Sequence, residues 1–223
     1  MGNVPGDGQI GKGAKRAYDA SGRQARAAAT RVAILEAARA LFLERGYPAT
    51  TIAGIASAAG VNPDTVYAAI GPKPALFRLL IETAISGTDD AVPAEQRAYV
   101  QAIRAEPDAR KKLERYARAL RSTNPRLAPL LDIVRSASAS EPELRRLWGE
   151  INDRRARNMR LLARDLMATG AVRPGLSVDD VAMTVWLLAG SDTYLLITRD
   201  RGWSDRRYER WLAATWQRAL LVD

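Results

Sequence analysis

Residues 30–77 read TRVAILEAARALFLERGYPATTIAGIASAAGVNPDTVYAAIGPKPALF, and the punctuation of this stretch divides it into four helices. Ile34, Ala38, Leu41 and Phe42 recur three or four apart, with Leu35 widening the stripe. A first helix is therefore expected from about Arg26 to Arg45, closed by Gly46 in a left-handed cap. Thr50 and Thr51 can cap a short second helix through Ala58, with Ile52, Ile55, Ala56 and Ala59 inward; Gly60 then supplies a tight turn and Val61 an apolar plug. Asn62 is a good N-cap, Pro63 stands at the first helical position where a missing N–H costs nothing, and Asp64 lies near the positive helix end. The third helix thus begins at Asn62 and stops before Gly71-Pro72, and Pro74 opens a fourth running through Leu76, Phe77, Leu80, Ile81 and Ala84 toward Ser86.

Upstream, residues 1–26 are rich in glycine and carry Lys12, Lys15, Arg16, Arg23 and Arg26, which reads as a flexible basic arm. Such an arm is either a solvated tail or a contact to phosphates or a minor groove. Downstream, proline and glycine punctuation sets helices near 93–105, 108–122, 125–139, 142–169, 178–199 and 204–221, and no run reads convincingly as a strand. The expected fold is all-α: a helix-turn-helix unit at 27–74 and a larger helical domain at 75–223 that includes the fourth helix.

The chain has 34 Lys and Arg against 25 Asp and Glu, a formal charge of +9 over 223 residues, which favours a polyanionic partner such as DNA. It contains no Cys and no His, removing disulfides, thiolate chemistry and the commonest metal ligand. No motif joins a nucleophile, a base and an orienting group, and the glycines of 6–13 lack the strand-to-helix context of a phosphate loop. No enzyme activity, cofactor or metal site is therefore expected. The apolar run 178–197 is interrupted by Asp179, Asp180 and Asp192, so a buried helix is expected there rather than a membrane span, in a cytoplasmic protein.

In a helix-turn-helix one helix crosses the phosphate backbone while the next enters the major groove, where base edges distinguish all four pairs. The reading positions are then Asn62, Pro63, Asp64, Thr65, Tyr67 and Ala68. Thr65 and Ala68 can meet a thymine methyl, Asp64 either caps the helix or accepts from a cytosine amine, and Tyr67 can reach a phosphate. Thr50 or Thr51, with Tyr67 and Lys73, makes a candidate phosphate clamp around this helix, and Arg31, the last cation of the basic stretch, is a further DNA-binding candidate.

Two further constellations lie in the larger domain. The last two helices carry more apolar surface than one stripe can hide, and Val185, Leu188, Tyr208, Trp211, Leu212, Thr215 and Trp216 are candidates for an isologous dimer seam. Tyr116, Trp148, Asn152, Met159, Met183, Trp186 and Tyr194, with Leu120 and Leu162, are interior-capable residues suited to a largely apolar or aromatic ligand.

The segment resembles the DNA-binding domain of TetR-family transcriptional regulators. The shared elements are Thr30-Arg31, Ile34-Leu35, Ala37-Ala38, Leu41-Phe42, Gly46-Tyr47, Thr50-Thr51, Ile55-Ala56, Ala59-Gly60-Val61, Thr65, Tyr67 and Lys73. Ile70 stands where the family usually has Phe, and Gly71-Pro72 replaces a more polar pair. The resemblance implies a homodimeric repressor that binds a palindromic duplex operator and is released by a small-molecule effector. The alternative is a regulator or activator that needs no ligand.

Overall fold

The computed structural model describes residues 11–88 and 92–222, with side chains from residue 22 onward. Its helices are α1 (Gly11–Ala49), α2 (Ile52–Ala58), α3 (Pro63–Ala69), α4 (Lys73–Ser86), α5 (Ala98–Ala105), α6 (Ala109–Ala137), α7 (Pro142–Met167), α8 (Val178–Leu188), α9 (Ser191–Leu195) and α10 (Asp205–Leu220). The only sheet-like pairing among the described residues is an isolated antiparallel bridge, Val172 to Leu221, that clips the end of α10 to the loop before α8.

Three boundaries differ from the sequence expectation. The first helix begins at Gly11 rather than near Arg26. Ala, Lys, Arg and Gln between them are strong helix formers, and extending an existing helix needs no new nucleus. Residues 1–10 of the expected arm lie outside the described residues. At the other end of α1, Gly46 does break the helix, but with φ +74° and ψ 177°, so its φ is positive without the compact left-handed turn.

The second difference is α6. The two helices expected at 108–122 and 125–139 are one helix of 29 residues that runs through Pro125 and Pro129. Each proline removes one helical hydrogen bond, yet Leu113, Ala117, Ala128, Leu131 and Val134 continue a single buried stripe across them, and that burial outweighs the lost bonds. The third is the span 178–199, which breaks at Ala189-Gly190, bends by 41° and ends in a π turn over Leu196–Asp200. No single helix among the described residues is long and apolar enough to cross a membrane.

Two cores hold the fold. The first joins α1–α4 to the C-terminal part of α6 and the N-terminal part of α7, through Ile34, Phe42, Ile55, Val66, Phe77, Leu130, Leu131, Leu147 and Ile151. The second joins the other halves of α6 and α7 to α8, α9 and α10, through Leu113, Met159, Leu166, Val185, Tyr208 and Trp216. Helices α6 and α7 therefore run through both cores as shared struts. Beside them, Lys112 is only 2% exposed, and its ammonium donates to the carbonyls of Ile103 and Arg104 and to Asp165, which ties the end of α5 to α6 and α7.

Candidate nucleic-acid interface and adjoining cavity

Around α3 the local chemistry follows the sequence closely. The Asn62 side chain accepts from the Asp64 N–H at 2.9 Å, with Pro63 in the first turn, and the Ile70 N–H closes the helix on the Val66 carbonyl at 3.0 Å. Gly71 then takes φ +115°, a value a side chain would strain, so that the chain can enter α4 after only two residues. Ile70 packs against the first core. Val66 is fully buried, while Asn62, Pro63, Asp64, Tyr67 and Ala68 are exposed and Thr65 is half-buried. The outward face of α3 thus carries Pro63, Asp64, Tyr67 and Ala68, with Thr65 at its edge.

The candidate phosphate contacts divide. Thr51 is exposed and caps α2 by accepting from the Gly54 N–H at 3.0 Å, which leaves its hydroxyl proton to offer. Thr50 is a correction: it is 2% exposed, and its hydroxyl faces the carbonyls of Leu41 at 3.1 Å and Gly46 at 2.8 Å. It clasps the α1 to α2 turn and is not available to DNA. Replacing Thr50 by Val keeps the shape and orphans both carbonyls, so the unfolding free energy should fall by about 1 kcal/mol in a denaturant titration. Arg31 is half-buried on α1.

Lys73 stands at the first position of α4, with its ammonium 4.1 Å from the centre of the Tyr47 ring. Tyr47 in turn stacks on Phe42 at 5.7 Å and meets Phe77 edge-on at 5.3 Å, so the cation is held by the aromatic centre of the helix-turn-helix core. Burial, and then the carboxylates of Glu143 and Glu141 at the start of α7, push the Tyr47 phenol up to about 12. The α7 terminus therefore backs directly onto the element that places Lys73.

Where the two cores meet, helices α4–α7 and the turn before α9 border a partly open cavity of about 650 Å³. Ile103, Leu120, Leu127, Leu131, Met159 and Leu162 supply much of its apolar wall. Of the residues expected to line a ligand site, Tyr116, Leu120, Met159 and Leu162 do so, the Tyr116 hydroxyl lying 3.6 Å from the Met159 sulfur. Burial raises the Tyr116 phenol, which stays protonated.

The other candidates lie elsewhere. Tyr194 is buried in the second core and donates to Asp205 at 2.7 Å. Trp148 packs against the first core, and Asn152 donates back to the Trp148 carbonyl at 2.9 Å along its own helix. Trp186 lies under the Arg155 guanidinium at 5.2 Å, and Met183 is 61% exposed.

Sequence reasoning missed Asn124. It is 3% exposed, lines the cavity, and its amide nitrogen meets no acceptor among the described residues. The spacing Leu113, Ala117, Leu120, Asn124, Leu127, Leu131 puts it on the inward stripe of α6, a signal hidden by ending that helix before Pro125.

The dimer candidates also divide. Tyr208, Leu212 and Trp216 are fully buried and Val185 is 1% exposed, all within one protomer's second core, where Trp216 stacks on Tyr116 at 5.5 Å. These four cannot form a seam without unpacking that core. Leu188, Trp211 and Thr215 are half-buried, and the outward apolar side chains of α8 are Met183 and Leu187.

The structure thus pairs a compact helix-turn-helix with a larger helical body that borders a cavity. Residues 34–80 match the family described as bacterial regulatory proteins, tetR family. Over that stretch, about a fifth of the chain, the sequence is similar to the DNA-binding domain of TetR-family regulators.

Solved structures share the fold. A transcriptional regulator from Saccharomonospora viridis in complex with choline is 22% identical, with a TM-score of 0.65 over 86% of this chain and 98% of its own. NalD, the secondary repressor of the MexAB-OprM multidrug efflux pump in Pseudomonas aeruginosa, is 25% identical, with a TM-score of 0.64 over 87% and 98%. The SmeT–triclosan complex is 19% identical, with a TM-score of 0.67 over 87% and 93%. No curated protein sequence matches the chain.

Proposed function

We propose that the chain is a homodimeric repressor that binds an inverted-repeat duplex through α3 and releases it when a small molecule fills the cavity. One observation carries the ligand half of this reading. Leu131 and Ile151 line the cavity and belong to the same core as Phe42 and Phe77, so a ligand that moves α6 or α7 moves the packing behind the reading helix. The cavity volume also falls within the range of about 300–1,000 Å³ typical of ligand pockets. Fold relatives were solved with choline and with triclosan, which supports a ligand-taking role for the corresponding domain.

The dimer half rests on the outward apolar side chains of α8, with the half-buried Trp211 and Thr215 of α10. A two-fold seam built from them would place two α3 helices on successive major-groove faces roughly 34–36 Å apart. Changing Met183 and Leu187 together to Asp should convert the dimer to monomer in sedimentation, raising the dissociation constant at least a hundredfold with little change in helical content. A dimer that survives this double substitution would move the seam elsewhere.

Selection of bound sequences from a random duplex pool tests the reading as a whole. An inverted repeat is expected, as is loss of binding when a cavity ligand is present. Duplex affinity that no cavity-binding compound alters would leave a regulator without a ligand.

A further inference from the structure

The charge around the cavity is one-sided. Arg97, Arg104, Arg154, Arg155 and Arg164 line it against Glu95 and Asp165, and Asp165 is already bound to Lys112 at 2.8 Å. Two of these arginines share a partner on α4, since Glu82 meets Arg154 at 2.8 Å and Arg97 at 3.8 Å. Their setting is partly dry: the side chains of Arg97, Glu82 and Arg154 are 10%, 17% and 38% exposed. The same cavity holds the Asn124 amide, buried and aimed at no acceptor.

A buried donor without an acceptor costs free energy until something supplies one, and a half-neutralised arginine cluster in a low-dielectric wall attracts an anion strongly. A cationic ligand would meet the opposite field, and a purely apolar one would leave Asn124 unsatisfied.

Resting on the reading of this cavity as an effector site, we propose that its ligand is an amphipathic anion, an apolar body bearing a carboxylate, whose head displaces Glu82 from Arg97 and Arg154. The body lies among Leu120, Leu127, Met159 and Leu162, and Asn124 donates to a ligand oxygen. Glu82 sits on α4, whose first turn carries Lys73 and whose Phe77 anchors the reading domain. Exchange of one carboxylate for another at the two arginines therefore loosens the tie between α4 and the cavity wall, which couples ligand chemistry to the DNA-binding end. Differential affinity for the two states of α4 arises from the competition itself.

A matched pair of fluorescent probes tests this on the full chain. 8-Anilinonaphthalene-1-sulfonate supplies an anionic head, and N-phenyl-1-naphthylamine presents the same rings without it. The sulfonate probe should bind one per chain at least tenfold more tightly than the neutral one. Arg154→Gln should weaken the sulfonate probe at least fivefold and leave the neutral probe within twofold. Glu82→Gln should tighten the sulfonate probe at least threefold, because it removes the competitor, an effect opposite in sign to general loosening of the fold.

Equal affinity for both probes would overturn the anion proposal while sparing the cavity as a ligand site. Binding of neither would overturn both. Weaker sulfonate binding by Glu82→Gln would overturn the exchange.

Discussion

Replacing Phe77 by Ala is expected to lower the unfolding free energy by about 3–5 kcal/mol, the range for truncating a fully buried Phe. Phe77 is completely buried and meets Phe42 edge-on at 4.6 Å and Tyr47 at 5.3 Å. Beyond those rings it shares the first core with Leu130, Leu131 and Leu147, so the cavity it leaves opens at the junction of the reading domain and the larger body. Since a domain has roughly 5–15 kcal/mol in all, this one change consumes a large part of its stability. Thermal unfolding should move down by about 10 °C in a chain of this length. A shift of only a degree or two would mean that α4 does not anchor the helix-turn-helix to the α6 and α7 part of the first core.

Lys73→Ala should weaken duplex binding by two to three orders of magnitude while leaving the protomer folded. A charge-assisted hydrogen bond to a phosphate is worth about 1.5 kcal/mol, so two copies in a dimer contribute about 3 kcal/mol. The slope of log affinity against log salt should fall by about 2, one counterion for each lost lysine. Sequence preference should stay unchanged, because a phosphate contact carries no base information. The side chain also lies over Tyr47, so thermal unfolding of the variant is the necessary companion measurement. An unaltered salt slope with intact folding would place Lys73 away from DNA.

How much of this was legible in the sequence depends on the kind of signal. The start of α3 was written in three consecutive residues, since an N-cap, a proline at the first helical position and an acid near the helix terminus all act locally. The continuity of α6 was not. Pro125 and Pro129 are strong local breakers, and they are overridden by a buried stripe whose partners lie far away in α4, α7 and α10. Ending the helix early also hid Asn124, whose inward register is visible only when the stripe is read through both prolines.

The aromatic residues of α10 show a second limit. Apolar patterning says that Tyr208 and Trp216 must be covered, but it does not say whether the cover comes from the same protomer or another. In this fold Tyr116 of α6 stacks on Trp216 and Tyr194 of α9 meets Tyr208 edge-on at 5.2 Å, contacts between residues 100 and 14 apart in sequence. Likewise Thr50 has the composition of a phosphate contact, and only the fold of the α1 to α2 turn reveals that its hydroxyl faces inward.

Whether α3 reads duplex DNA from a symmetric dimer is decided by selecting bound sequences from a random duplex pool with the full chain at low salt. Enrichment of one inverted repeat with half-site centres about one helical turn apart is expected, and loss of that enrichment with Ala68→Glu, which puts a carboxylate on the exposed α3 face where a thymine methyl is expected. A recovered pool no different from the starting pool would contradict reading by α3.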